Sequence, residues 1–70
     1  MEDKMDFLKR ISANIRVVRK SQKLSQRELA ELIGTKEYQV FKIESGRIAS
    51  NIMTLKRVAD ALGIDVKQLL

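Results

Sequence analysis

The amino-acid sequence predicts an all-α fold of five short helices that pack as one domain over residues 1–70. Apolar residues recur at three- and four-residue spacing through most of the chain, which is typical of amphipathic helices. The chain has no Pro and only three Gly, and its 70 residues are enough for a single small domain. The predicted helices cover residues 6–21, 26–33, 36–45, 51–62 and 66–70.

The first helix is defined by one apolar stripe that ends in a polar break. The stripe consists of Leu8, Ile11, Ile15 and Val18. Either Asp3 or Asp6 can cap the start of this helix, because a carboxylate is favourable at the positive end of the helix dipole. The periodicity therefore predicts a helix with one buried face and an acidic start.

The second helix has the clearest start signal in the chain, because Ser25 and Glu28 match a capping box. It ends at Gly34, a residue type that is favoured just beyond a helix C-terminus. A helix of this length is stable only when it packs against other elements. The third helix follows at once, with Thr35 as its expected N-cap and Gly46 just beyond its end.

The last two helices are expected to close the core. Ser50 or Asn51 caps the fourth helix, Gly63 ends it, and Asp65 caps the final helical turn. The inward residues of the fourth helix are predicted to be Ile52, Leu55, Val58, Ala59 and Leu62. The apolar residues at the C-terminus then either pack on this core or provide a surface for a second copy of the chain.

The composition excludes several functional classes. Cys and His are both absent, which excludes disulfides, zinc fingers, thiol nucleophiles and imidazole bases. We therefore expect no metal and no cofactor, and without a convergent pair of acids we expect no enzymatic activity. No apolar run is long enough for a signal peptide or a membrane span, which favours a cytoplasmic location. The net charge of +5 favours an anionic partner, although a basic helix face is often only a solvated surface.

Helical geometry divides the third helix into a core side and an outward side. With Val40 at the centre of the core side and about 100° per residue, Glu44 lies at the edge of the core. Tyr38 and Lys42 fall near the opposite pole and point outward. Because an unpaired charge at a core edge is costly, Glu44 needs a cation, and Arg19 is the candidate.

The second and third helices, with Gly34 between them and Gly46 after them, form a helix-turn-helix layout. This part of the chain resembles the phage repressor and Cro-type helix-turn-helix family, the lambda repressor-like domain. The resemblance covers about residues 11–70 and is specific because it involves many positions on several helices. It rests on the segments Ile15–Lys20, Leu24–Ala30, Ile33–Thr35, Val40, Ile43–Gly46 and Leu55–Ile64.

The resemblance implies that the third helix is a recognition helix that enters the major groove of double-stranded DNA. The residues that it implies at base edges are Lys36, Glu37, Tyr38, Gln39 and Lys42. The residues that it implies at backbone phosphates are Gln26, Arg47 and Lys36, and it implies that Gln26 also braces the recognition helix. It also implies an ion pair between Arg19 and Glu44 that joins the first helix to the third. The side chains have suitable chemistry, since Lys donates to guanine, Gln pairs with adenine and Glu accepts from cytosine.

Three residues depart from the family pattern. Ser50 stands where the family often has Pro, which predicts a softer linker before the fourth helix. Phe41 stands where small or polar residues are usual, and it either borders the DNA interface or packs on Ile48 or the linker. Glu37 brings a negative charge near phosphates, so it either reads cytosine or serves as a favourable acid at the helix start.

The sequence therefore predicts a sequence-specific transcriptional regulator, of repressor or controller type, that acts in the cytoplasm on the nucleoid. We expect a homodimer on a two-fold operator whose half-sites lie about 10 base pairs apart. The candidate residues for its dimer interface are Ile64, Val66, Leu69 and Leu70. Two alternatives remain at this point: an antitoxin of the same fold, whose main partner is a toxin protein, and an adaptor domain that docks proteins without binding DNA.

Overall fold

The computed structural model of the chain describes residues 3–47 and 51–70, and helices are its only regular elements there. The elements in chain order are α1 (Lys4–Ser21), α2 (Gln26–Ile33), α3 (Glu37–Glu44), α4 (Ile52–Leu62) and a C-terminal 3₁₀ helix (Val66–Leu69). The expectations for Ile48 and Ser50 lie outside the described residues. Within the described ranges, no helix is long and apolar enough to cross a membrane.

The element bounds correct several details of the prediction, including the start of α4, which begins at Ile52 instead of residue 51. The α1 helix begins at Lys4, two residues before the expected start. The α3 helix covers eight residues and is shorter at both ends than the expected 36–45. The last element is a 3₁₀ helix of four residues instead of an α-helix, because so short a segment forms only a single turn. The all-helical architecture is otherwise as predicted.

The N-termini of α1 and α2 are capped by the expected side chains. The Asp3 carboxylate accepts a hydrogen bond from the backbone N–H of Asp6 at 2.9 Å. In the capping box of α2, Ser25 Oγ accepts from the N–H of Glu28 at 3.0 Å, and Glu28 Oε1 accepts from the N–H of Ser25 at 2.9 Å. Gly34 follows α2 with a φ of +76°, the left-handed conformation that glycine adopts at low cost.

Two of the remaining caps match the prediction and one does not. Asn51 caps α4, with its Oδ1 accepting from the N–H of Thr54 at 2.9 Å, and Asp65 caps the 3₁₀ helix. The expected cap by Thr35 is wrong, because Lys36 occupies the N-cap position of α3 and makes no side-chain cap bond. Thr35 instead completes the end of α2, since its N–H donates back to the Ala30 carbonyl at 2.9 Å.

Every helical element contributes to one apolar core. The buried core residues are Ile11, Ile15, Leu29, Ala30, Val40, Ile43, Leu55, Val58, Ala59, Leu62 and Leu69. The expected inward position of Ile52 is wrong, since this side chain remains 63% exposed. It lies in the first turn of α4, one turn before Leu55, where the helix first meets the core. Leu8 and Val18, at the ends of the α1 stripe, are only half-buried.

The packing of the helices determines which face of α3 is outward. The α2 helix packs against both α3 and α4, and the C-terminal 3₁₀ helix closes over α1 and α4. At this closure, Asn14 Nδ2 donates to the carbonyl of Leu69 at 2.9 Å, and Arg10 donates to the carbonyl of Leu70. The α3 helix is therefore held from behind by its Val40 and Ile43 side chains, while its opposite side remains open.

Candidate nucleic-acid interface

The open side of α3 carries the residues that the sequence predicted at base edges. Lys36, Glu37, Tyr38 and Gln39 are exposed around the start of the helix, and Lys42 is half-buried one turn further on. Lysine, glutamine and glutamate side chains can all reach donors or acceptors on base edges. These five residues lie at the N-cap and in the first two turns of α3, and Lys42 contacts the Tyr38 ring.

Two aromatic rings and two cations form an ordered row on this surface, which we call the cation–aromatic array. Lys42 Nζ lies 4.7 Å from the centroid of the Tyr38 ring, and the Tyr38 and Phe41 rings stack at 6.2 Å with an angle of 22° between their planes. The Arg47 guanidinium lies over the Phe41 ring at 5.2 Å. Phe41, whose role the sequence left open, therefore links Tyr38 to Arg47 at the border of the outward face.

A buried polar network fixes α3 from behind. Arg19 Nε donates to Glu44 Oε2 at 2.6 Å and Arg19 Nη2 donates to Glu44 Oε1 at 3.1 Å, a two-bond ion pair. The side chains of Arg19 and Glu44 are only 7% and 3% exposed. Arg19 Nη1 also donates to the carbonyl of Leu24 at 2.6 Å. Because this geometry satisfies both charges, the network joins α1, the segment before α2, and α3 in one fixed arrangement.

Gln26 belongs to the same network. Its Nε2 donates to Glu44 Oε1 at 3.2 Å, so its amide braces α3 from the first turn of α2. The Gln26 side chain is only half-buried and lines a groove between α1, α2 and α3. The groove is lined by Arg16, Arg19, Gln26, Phe41, Glu44 and Ser45.

Arg16 belongs to this surface although it was not among the residues predicted from the sequence. Arg16 is exposed and lines the groove beside Gln26 and Phe41. The three-residue spacing between Arg16 and Arg19 was an available signal, because it places both on the same side of α1. Together with Arg47, Arg16 gives the border of the outward face two cations suited to phosphate contacts.

Arg57 of α4 contributes to the other side of α3. It lines a second groove with Ile33, Thr35, Gln39, Ile43 and Thr54. Its position beside Gln39 keeps it within the same surface as the recognition helix.

The capping box of α2 changes the acidity of one carboxyl group. The backbone N–H of Ser25, and then the hydroxyl of Ser25, lower the pKa of Glu28 below its ordinary value by hydrogen bonding to its charged form. The negative charge of Glu28 is thus maintained at the positive end of the α2 dipole. Among the described residues, no group of acids, His or Cys is arranged to hold a metal ion.

The residues predicted for the dimer interface lie in the C-terminal segment after α4 and differ in burial. Leu69 is fully buried, with 0% exposure, in the core of its own chain. Ile64 and Val66 are half-buried against that core, and Leu70 is 49% exposed. Of the four candidates, Leu70 therefore offers the most apolar surface to a partner.

The α2 and α3 helices are short and meet at a glycine in the left-handed conformation. A buried ion pair holds α3, whose outward face is cationic and aromatic, and this arrangement defines a helix-turn-helix DNA-binding domain. The family model for helix-turn-helix proteins named HTH_3 matches residues 15–69, and the chain belongs to this family of Cro/C1 type. The family is made up of DNA-binding regulators, which are not enzymes, and the chain is a helix-turn-helix transcription regulator of this prokaryotic class.

Several solved structures of regulators are similar to the chain. The restriction-modification controller protein C.AhdI from Aeromonas hydrophila is 29% identical, with a TM-score of 0.86, over 93% of this chain and 97% of that one. The clp gene regulator ClgR from C. glutamicum is 27% identical, with a TM-score of 0.86, over 90% of this chain and 82% of that one. The DNA-binding domain of BldD from S. venezulae is 30% identical, with a TM-score of 0.84, over 93% of this chain and 97% of that one. A comparison with curated proteins finds no significant match.

Proposed function

We propose that residues 1–70 act as one sequence-specific double-stranded DNA-binding domain of a transcriptional regulator of repressor or controller type. The observation that carries this proposal is the outward face of α3, which the buried Arg19–Glu44 pair holds in place. The printed names of the similar structures, a controller protein and a gene regulator, support the same class. The proposed partner implies a cytoplasmic, nucleoid-associated location.

The proposed contacts divide into base readers and phosphate anchors. The base readers are Lys36, Glu37, Tyr38, Gln39 and Lys42 on the outward face of α3. The phosphate anchors are Gln26, Arg47 and Lys36, to which the groove adds Arg16. Phosphate contacts supply much of the affinity and make it fall with salt, whereas base-edge contacts supply the sequence preference.

We further propose that the chain binds as a homodimer. Leu70 provides the exposed part of the dimer surface, and the half-buried Ile64 and Val66 lie beside it in sequence. Leu69 supports this surface from within the core instead of contacting the partner. A two-fold dimer places its two α3 helices in successive major grooves, so the operator half-sites lie about 10 base pairs apart.

A selection from random duplex DNA, followed by sizing of the bound complex, tests this function. The expected result is a two-fold consensus sequence, bound by two chains, with an affinity that falls steeply with salt. Equal affinity for random and selected duplexes at physiological salt would contradict the proposal. A complex of one chain with a single half-site would contradict only its dimeric part.

The Lys42→Ala variant tests the role of the outward face. We expect weaker binding to the selected duplex by about 1–3 kcal/mol, with a relaxed preference at the base pair that Lys42 reads. Lys56→Ala is the matched control, because Lys56 has the same charge but lies on the exposed side of α4, paired with Asp60 at 2.8 Å. The measurement is the ratio of affinities for selected and random duplexes, which the control leaves unchanged.

A further inference from the structure

Aromatic residues are scarce in this chain and are concentrated on the recognition helix. The sequence has one Tyr and two Phe, and Tyr38 and Phe41 both belong to α3. Their side chains are not used in the core, since Tyr38 is 58% exposed and Phe41 is 38% exposed. Two stacked rings therefore present apolar surface on the face where the other side chains are polar or charged.

The two rings are held in place before any ligand binds. Lys42 lies over the Tyr38 ring and Arg47 lies over the Phe41 ring, so a cation contacts each ring of the stack. Cation–aromatic contacts and ring stacking both restrict side-chain motion. Binding at these rings then costs little additional conformational entropy, and the part of each ring that remains exposed is available to a partner.

The major groove offers one apolar group that suits such a surface. Thymine displays its 5-methyl group there, and 5-methylcytosine displays the same methyl group, whereas the other exposed base atoms are donors or acceptors. We propose that Tyr38 and Phe41 together read the 5-methyl group of a pyrimidine in each half-site. This inference rests on the proposed DNA-binding function and assigns to the unusual Phe41 a role in sequence preference.

A purely supporting role for the rings would have a different consequence. If Tyr38 and Phe41 only held Lys42 and Arg47 in position, removing a methyl group from the DNA would leave the affinity unchanged. If the rings contact the methyl group, its loss removes buried apolar surface from the complex. The two roles can therefore be separated with the unmodified protein by changing the DNA alone.

The experiment uses the duplex obtained by selection and replaces each thymine in turn by deoxyuridine. The expected result is a loss of about fourfold in affinity per half-site at one position, which corresponds to burial of one methyl group, and no change at most others. In a parallel series, each cytosine is replaced by 5-methylcytosine. A gain of similar size at one position identifies the methylated cytosine as the preferred base. If neither series changes the affinity at any position, the inference is wrong.

Variants locate the effect on the protein. Phe41→Ala and Tyr38→Ala should each abolish the dependence on the methyl group, whereas Tyr38→Phe should keep it, because the ring remains and only the hydroxyl is lost. Leu32 is an apolar residue of α2 that is 58% exposed, as Tyr38 is. The Leu32→Ala variant is therefore the control, and it should also keep the dependence on the methyl group. Circular dichroism establishes that each variant is folded. Methyl dependence that persists in both alanine variants would overturn the assignment to these rings.

The two proposals fail in different ways. If the selection yields no preferred sequence, the proposed sequence-specific function is contradicted, and the inference that rests on it is contradicted with it. If a preferred sequence emerges but shows no methyl dependence, only the role of Tyr38 and Phe41 is contradicted.

Discussion

Arg19 and Glu44 show how one pair of residues connects the core to the functional surface. Both side chains are buried. Arg19 donates a further hydrogen bond to the Leu24 carbonyl, and Glu44 accepts a further one from the Gln26 amide, so the remaining polar groups of the pair also have partners. Sequence reasoning identified the pair from the position of Glu44 at the core edge. The family resemblance implied that Gln26 braces the third helix, and the structure supplies the contact, a hydrogen bond that Gln26 Nε2 donates to Glu44 Oε1.

Removing one partner of the buried pair should strongly destabilise the fold. For Glu44→Ala we expect the free energy of unfolding to fall by about 3–5 kcal/mol, because Arg19 would remain buried without its counter-charge. A loss of this size approaches the total stability of so small a domain. The measurement is urea denaturation followed by circular dichroism.

An exposed ion pair on α2 provides the matched control for this prediction. Arg27 and Glu31 lie 3.5 Å apart, with side chains 77% and 69% exposed. Arg27→Ala should change the free energy of unfolding by no more than about 0.5 kcal/mol. Equal effects of the two substitutions would show that burial does not determine the strength of the Arg19–Glu44 pair.

Glu28 should make stability depend on pH in the acid range. Hydrogen bonding to Ser25 lowers the pKa of Glu28 in the folded state, so the unfolded chain binds a proton more readily at this site. The stabilisation is therefore complete above the ordinary pKa of 4.5 and is lost as the pH falls through the lower pKa of the folded state. The Glu28→Gln substitution keeps a side-chain oxygen that can accept the capping hydrogen bond, but it removes the ionisable group. The difference in free energy of unfolding between wild type and Glu28→Gln should thus shrink from pH 7 to pH 3, and a constant difference would contradict the prediction.

At the scale of single elements, local chemistry determines where most helices begin and end. The caps at Asp3, Ser25, Asn51 and Asp65 all bond within three residues along the chain, which is why the sequence predicts them. The α3 helix is the exception, since it has no side-chain cap. Its stability therefore depends on packing against α1 and α2, and it is the α-helix whose predicted bounds were wrong at both ends.

Substitutions at Gly34 test how much the turn between α2 and α3 depends on glycine. Its φ is +76°, and a Cβ added there would meet no atom within 4 Å, so a substitution adds backbone strain without a steric clash. Gly34→Ala should lower the free energy of unfolding by about 1–2 kcal/mol. Gly34→Asn should lower it by less, because Asn adopts the left-handed conformation more readily. Thermal or urea unfolding measures both, and an Asn variant less stable than the Ala variant would contradict this explanation.

At the scale of the whole molecule, hydrogen bonds connect the C-terminal residues to α1. The carbonyls of Leu69 and Leu70 accept hydrogen bonds from Asn14 and Arg10 of α1, and the side chain of Leu69 completes the core. Sequence periodicity could not separate the roles of the last two leucines. Their burial separates them clearly, at 0% exposed for Leu69 and 49% for Leu70.

The two leucines should respond differently to the same substitution. Leu69→Ala should lower the free energy of unfolding by about 2–5 kcal/mol, because it leaves a cavity in the core. Leu70→Ala should change the intrinsic stability of the chain by no more than about 0.5 kcal/mol. If Leu70 forms the dimer surface, the Leu70→Ala substitution should instead weaken self-association, which sedimentation equilibrium measures. A Leu70→Ala variant that associates as strongly as wild type would contradict the proposed dimer surface.

The sequence by itself determined the all-helical class, the helix-turn-helix layout and the outward side of α3. These features follow from periodicity, capping residues and glycines, whose effects extend only over a turn or two of helix. The tertiary structure decided the contacts that depend on how helices are placed against one another. It placed Arg16 in a groove beside α3 and Leu69 in the core. It also placed Arg47 over Phe41, because the chain turns back at Gly46 after α3 ends. Such contacts join residues whose separation along the chain carries no periodic signal, so only the packed arrangement of the helices defines them.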